Sequence, residues 1–255
     1  MIPKLLHYIW FGNNPLSPFA EQCHASWQEH MPDWQYMRWD ESNFSIAAAP
    51  LYVRQAYEAR KFAFVSDYVR LWALEQYGGV YVDTDVKALK SYEPLLNDTA
   101  FIGFEESKAH MPGTCVMGCE PHCHWVKDML ALYDGIEFIR PDGSLDMTTN
   151  VDRMGNVIMR ELRNEGMDDE KYWKQEQYVK KWGLRIYTHD YFSPITSTRV
   201  MRKTKNTYSI HHFAGSWVEK TRGQLIKEWI VTHILGRKLT DKIVQLKRKL
   251  RGRKG

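Results

Sequence analysis

The sequence predicts an α/β fold: one domain over residues 1–220, built on a mixed central sheet flanked by helices, then a basic helical extension over residues 221–255. Two observations carry this. Short apolar runs alternate with stretches of helical periodicity, a pattern that favours a sheet covered by helices within one domain. Gly, Pro, Asn and Asp punctuate those runs, and neither an internal repeat nor a low-complexity linker interrupts them.

Taken in order, Lys4 to Phe11 is apolar and closed by Gly12-Asn13-Asn14-Pro15, which reads as a buried strand ending in a turn. Pro18 to His30 carries Phe19, Cys23, Ser26 and Trp27 near helical spacing, and Pro32-Asp33 stops that helix before the β-rich segment Trp34 to Trp39. A helical stretch, with room for a break in its middle, runs from about Leu51 to Tyr77. Gly78-Gly79 ends it and opens a strand, Val80-Tyr81-Val82, that leads directly into Asp83-Thr84-Asp85. Thr99 to Phe104 reads as a further strand, Pro121 to Tyr133 and Val151 to Glu165 as helices, and Leu184 to Tyr187 and Tyr208 to Phe213 as late strands.

Composition sets outer bounds. With 44% hydrophobic and 26% charged residues in 255, disorder and collagen-like repetition are excluded. Ten Trp and fourteen Tyr exceed what a core alone usually needs and suit a platform for a flat or sugar-like ligand. The formal charge of +4 is uneven: from Arg237 onward nine Lys or Arg face one acid, Asp241, so the body before them is mildly acidic. The whole-domain basic footprint of a nucleic-acid binder is therefore missing. Within that tail Leu239, Ile243, Leu246 and Leu250 fall at helical spacing among Lys242, Lys247, Arg248, Lys249 and Arg251. Such a basic amphipathic helix fits an anionic membrane surface, with packing on the domain or a dimer contact as alternatives.

The N-terminal run lacks the cleavage site of a signal peptide, and no run approaches the roughly 18 apolar residues of a span, so the expected location is cytoplasmic, peripheral at the inner face of the cell membrane. Cys23, Cys115, Cys119 and Cys123 are then expected as free thiols. The spacing Cys115-x3-Cys119-x3-Cys123, with His122 and His124 alongside, fits no zinc motif well.

Asp83 and Asp85 carry the most chemistry. Strand geometry sends side chains two apart to the same side, and two carboxylates at the carboxyl end of a strand form a hard-oxygen site for Mg²⁺ or Mn²⁺, cations that also take phosphate oxygens. Otherwise they are a solvated turn. On the preceding helix Asp67 and Arg70 are three apart and share a face. They read either as a surface ion pair or as a nucleotide contact, with Asp67 accepting from a hydroxyl or base and Arg70 offering its planar fork to phosphate.

Four segments together carry a resemblance: Ile2 to Gly12, Ser66-Asp67-Tyr68-Val69-Arg70-Leu71, Tyr77-Gly78-Gly79-Val80-Tyr81-Val82-Asp83-Thr84-Asp85, and His211-His212-Phe213-Ala214-Gly215-Ser216-Trp217. In that order they resemble glycosyltransferase family 32, the DXD sugar-binding enzymes of bacterial capsule and surface-polysaccharide loci, related to yeast initiating mannosyltransferases and remotely to the large clostridial glucosylating toxins. The resemblance implies a GT-A-type nucleotide-sugar-binding domain. It also implies a retaining transferase that moves a hexose or N-acetylhexosamine from a nucleotide sugar, UDP-linked by preference, to a saccharide acceptor. That acceptor would be a polyprenyl-diphosphate-linked intermediate of capsule, O-antigen or exopolysaccharide synthesis. The implied cofactor is Mn²⁺ or Mg²⁺.

The same resemblance places Ile9 and Trp10 at the donor, with Trp10 stacking on the base unless it is a core Trp closing a strand. Asp67 and Arg70 match the donor-contacting pair, Tyr81 faces the donor or the core, and Asp83 contacts ribose, sugar or the metal through water. Asp85 ligates the metal directly. By analogy with His-aromatic-x-Gly segments, His212 is chosen over His211 as the imidazole ligand. Ser216 and Trp217 match residues that touch the metal or the β-phosphate. Asp83, Asp85 and Arg70 are thus the catalytic set. Glu105, Glu106 and Asn150 are guesses for sugar or acceptor contacts, since residues 105–150 match too little to transfer roles.

Two rivals stand beside this. A haloacid-dehalogenase-type phosphatase would use Asp83 as nucleophile, but Lys87 stands where that motif wants Thr or Val, and Asp168-Asp169 lies in a polar segment. A non-catalytic membrane or sugar-binding module accounts for the tail and the aromatics, yet leaves Asp67, Arg70, Asp83, Asp85 and His212 without a task.

Overall fold

The computed structural model describes residues 1–106, 110–167, 170–196 and 200–215. The elements are β1 (Leu5–Ile9), α1 (Pro18–His30), β2 (Gln35–Trp39), α2 (Leu51–Glu58), α3 (Phe62–Tyr77), β3 (Gly79–Val82), β4 (Val86–Ala88), β5 (Ala100–Glu105), β6 (Met111–Cys119), α4 (His124–Leu130), α5 (Asn150–Asn164), β7 (Gln177–Val179), β8 (Leu184–Tyr187) and β9 (Ser209–His211).

Local chemistry explains the helix ends. Ser17 Oγ accepts from the Ala20 N–H with Pro18 in the first turn of α1, and Thr149 accepts from the Asp152 N–H at the start of α5. The expected break in the 51–77 helix falls at Arg60, a non-glycine residue at φ 57° that separates α2 from α3.

Seven strands form one sheet in the order β2-β1-β3-β6-β5-β8-β7. β1 runs parallel to β2 and β3, β6 runs antiparallel to β3 and β5, and β5 runs parallel to β8, so the sheet is mixed as expected. Alternation along β3 divides the core: Val80 and Val82 join Leu6, Tyr8, Cys23 and Trp27 in one cluster, while Tyr81 joins Ile9, Val69 and Ile158 in the other. A second sheet pairs β4 with β9, Val86 opposite His211, and so returns the end of the described chain to the end of β3.

The central strand β6 has no counterpart in the sequence reading, because Pro112, Gly113 and Gly118 argue against a strand. The structure supplies the reason for both glycines. A Cβ on Gly113 would lie 2.4 Å from Glu105 Cγ, and one on Gly118 2.2 Å from Phe101 Cε1, so side chains of β5 lie directly over them. The short strands β4 and β7 were likewise not expected. Ser216, Trp217 and the basic C-terminal segment expected to be helical lie outside the described residues, as does Asp168-Asp169. Among the described residues no helix is long and apolar enough to cross a membrane.

His7, fully buried on β1, ties that strand to β2 and to the end of α3. Trp39 Nε1 donates to its Nδ1 at 3.1 Å, which leaves its Nε2–H to donate to the Gly78 carbonyl at 2.8 Å. Gly79 beside it must be glycine, since φ is 95° and a Cβ would sit 2.4 Å from the Leu5 carbonyl oxygen. Burial lowers the His7 pKa from 6.5 to about 4, against the opposing bond to Gly78. The unfolded chain therefore takes up a proton that the folded one refuses: the full stability is present above pH 6.5 and is lost as pH falls towards 4. Urea titrations of the parent should show a loss of up to about 3 kcal/mol across that window. His7→Gln should be less stable at pH 7 and distinctly flatter between pH 6.5 and 4.

Candidate active site

The carboxyl ends of β1 and β3 open into a cleft of about 710 Å³. Ile9, Trp10, Asp67, Arg70, Tyr81, Asp83 and Asp85 all line it, so the structure gathers every expected donor-side residue among those it describes. The Trp10 indole N–H donates to the Asn14 carbonyl at 2.9 Å, which fixes the ring at the cleft wall.

Asp83 and Asp85 converge, by a different route from strand alternation. Asp83 follows β3, the Val86 N–H donates to its carbonyl at 3.0 Å, and Thr84-Asp85 form the turn into β4. The Tyr81 hydroxyl, two residues back on the same side of the strand, donates to Asp83 Oδ1 at 2.6 Å. Asp85 is held by the Ala214 N–H, which donates to its Oδ2 at 2.8 Å.

The pair Asp67–Arg70 is no surface ion pair. Arg70 is 6% exposed. Its Nη2 meets Asp67 Oδ1 at 2.9 Å, its Nη1 meets Asp83 Oδ1 at 3.2 Å, and Nη1 also donates to the Thr114 carbonyl at 3.0 Å. Its carbon lies 4.5 Å over the centre of the Tyr81 ring. Asp67 Oδ2 in turn accepts from the Asn150 N–H at 3.0 Å, and Asn150 Nδ2 donates to the Asp67 carbonyl at 3.0 Å. The guess for Asn150 thus lands beside the site as a clamp joining α5 to α3, and a carboxylate at that helix N-terminus is electrostatically favoured.

The imidazole beside the aspartates is His211, which corrects the choice of His212. Pairing Val86 with His211 brings the His211 Nε2 to 3.4 Å from Asp85 Oδ1. His212 follows the strand, donates its backbone N–H to the Asp85 carbonyl at 3.1 Å, and sets its ring edge-on to Phe19 with centroids 5.0 Å apart. The ligand atoms of Asp83, Asp85 and His211 lie within 4.8 Å of one another. Two carboxylates with one imidazole fit Mn²⁺ or Mg²⁺. Glu105 also lines the cleft, whereas Glu106 Oε2 pairs with His189 Nε2 at 3.6 Å. Thr114 escaped the sequence reading because it lies on the unrecognised β6, and Phe213, quoted in the last segment without a role, packs its ring 3.9 Å from that of His211.

Burial acts to raise all three carboxylates, and their partners set them apart. It pushes Asp67 up to about 6 in spite of Arg70, and raises Asp83 against the same cation. For Asp85 burial is outweighed by His211 and the Ala214 N–H, which hold it below the usual carboxylate range.

Residues 19–102 match the family model of a glycosyltransferase sugar-binding region containing a DXD motif. Two of the four segments that carry the resemblance, Ser66 to Leu71 and Tyr77 to Asp85, lie within that match. Inositol phosphoceramide mannosyltransferase 1 of Schizosaccharomyces pombe is 31% identical over 111 residues, which cover 40% of this chain and 33% of that protein. Inositol phosphoceramide mannosyltransferase 3 of the same yeast is 31% identical over 105 residues, covering 40% and 29% respectively. The chain thus spans about a third of the curated relatives it matches. Among solved structures the PaToxG glycosyltransferase aligns at a TM-score of 0.50 and 16% identity, over 65% of this chain and 72% of that one. The fold around the DXD region is the GT-A type.

Arg70 is the lynchpin of the site's charge balance. Removing one partner of a buried ion pair costs about 3–5 kcal/mol. Arg70→Met should lose stability of that order in urea unfolding, and adding Asp67→Asn should recover part of it, since one stranded carboxylate is then removed.

Proposed function

We propose that this chain is a retaining, divalent-cation-dependent glycosyltransferase that moves a hexose or N-acetylhexosamine from a nucleotide sugar, UDP-linked by preference, to a saccharide acceptor. The observation that carries the proposal is the Asp83–Asp85–His211 cluster, with ligand atoms within 4.8 Å of one another in a cleft that Trp10 also lines.

In this reading Asp85 and His211 would hold the cation, with Asp83 beside them. Bound there, Mn²⁺ or Mg²⁺ would supply Lewis-acid stabilisation of the negative charge on the departing diphosphate. Trp10 stacks on the base, while Tyr81 and Arg70 fix the Asp83 carboxylate so that little reorganisation is needed as charge develops. Ser216 and Trp217 remain assigned to the leaving group by resemblance. The acceptor hydroxyl attacks the face from which the diphosphate leaves, and a phosphate oxygen takes its proton.

A lipid-linked acceptor has two supports: the basic, amphipathic tail sequence and the phosphoceramide named for the yeast relatives. Peripheral attachment at the inner membrane face, and an intermediate of capsule or O-antigen synthesis as acceptor, follow from that reading. The relatives' mannosyl transfer favours one second reading, a mannose donor.

Calorimetry with UDP, GDP, UDP-sugars and GDP-mannose, each with and without Mn²⁺, tests the proposal. One nucleotide should bind only with Mn²⁺, and Asp85→Asn should weaken it by about 100-fold or more. GDP selectivity would move the mannose reading to the front, and nucleotide binding indifferent to Mn²⁺ would sink the mechanism.

A further inference from the structure

His211 faces two donor sets. Its Nε2 is 3.4 Å from Asp85 Oδ1, and its Nδ1 is 3.4 Å from Glu105 Oε1. On the Nδ1 side Glu105 and Cys115, 4% and 3% exposed, bring carboxylate and thiol within 4.8 Å of one another and of the same imidazole. Tetrahedral zinc with N and O ligands at ~2.0–2.1 Å holds those ligand atoms roughly 3.3 Å apart, close to the Glu105–His211 spacing. Glu105 and His211 line the cleft, and Cys115 is buried beyond its lining. The two sets differ in chemistry: paired carboxylates with one nitrogen suit Mn²⁺ or Mg²⁺, whereas thiolate, carboxylate and imidazole suit Zn²⁺.

We propose that Glu105, Cys115 and His211 form a second, zinc-selective site that competes with the Asp83–Asp85 cation for His211. A neutral imidazole has one N–H and one lone pair. A cation on Nε2 leaves the N–H on Nδ1, 3.4 Å from Glu105 Oε1, a carboxylate near enough to orient a metal-bound histidine after a small shift. Zinc on Nδ1 leaves the N–H on Nε2, aimed at Asp85, and withdraws that nitrogen from the first site. As zinc binds, the Cys115 S–H bond breaks, the sulfur pair goes to the metal and the proton passes to solvent. The zinc site stands by itself, while the competition rests on the cation-dependent reading above.

The test uses the full chain with Co²⁺ as the spectroscopic probe. A thiolate-to-cobalt charge-transfer band should appear in the parent and vanish in Cys115→Ser, with Cys115→Ala as a second variant should the serine not fold. Zn²⁺ affinity, read against a chromophoric chelator, should fall by about 100-fold in Cys115→Ser and by about tenfold in Glu105→Gln. Zinc should weaken Mn²⁺ binding at lower zinc concentration in the parent than in Cys115→Ser, where only direct displacement at Asp83 and Asp85 remains. No thiolate band in the parent, a band that persists without Cys115, or independent binding of Zn²⁺ and Mn²⁺ would overturn the proposal. A Cys115-dependent band in a protein without Mn²⁺ affinity would sustain the zinc site and overturn both the competition and the proposed function.

Discussion

The site depends on one buried cation. Arg70 on α3 reaches Asp67 on its own helix, Asp83 at the end of β3 and the Thr114 carbonyl on β6, and it lies over the Tyr81 ring. Burying a guanidinium costs far more than an exposed pair returns, so it is tolerable only with its donors satisfied. Here that condition binds a helix to two neighbouring strands. Through Asp67 and the Asn150 N–H it also reaches the start of α5. The aspartate of the motif is thereby held as a fixed carboxylate before any ligand arrives, which is the preorganisation an electrostatic site needs.

The rest of the Asp83–Asp85–His211 cluster is set by backbone pairing. The turn closed by the Val86 N–H aims Asp85 back towards Asp83, and β9 pairs with β4 in a register that puts His211 opposite Val86. A slip of one residue would present His212 instead, because successive strand side chains alternate. The Ala214 N–H and the His212 N–H, both bonded to Asp85, oppose such a slip.

Most of the fold could be read from the sequence because its signals are local. Apolar runs, Pro18 and the Gly78-Gly79 stop mark elements without reference to distant residues. Strand β6 could not, since Gly113 and Gly118 make sense only once Glu105 and Phe101 lie across them. The donor-side residues were legible as motifs, but the contacts that fix them were not. Spacing of three put Asp67 and Arg70 on one face, yet only tertiary packing buries them. Likewise, two adjacent histidines carry no local mark of which one the β4–β9 register turns towards Asp85.

The central claim is that His211 and Asp85 hold a divalent cation at the end of β3. Electron spin echo envelope modulation on bound Mn²⁺ tests it most directly, since a coordinated imidazole nitrogen leaves a nuclear modulation. The account predicts that this signal is present in the parent and in His212→Phe and absent in His211→Phe. A signal that survives in His211→Phe, or Mn²⁺ bound in the parent without any nitrogen modulation, would contradict it.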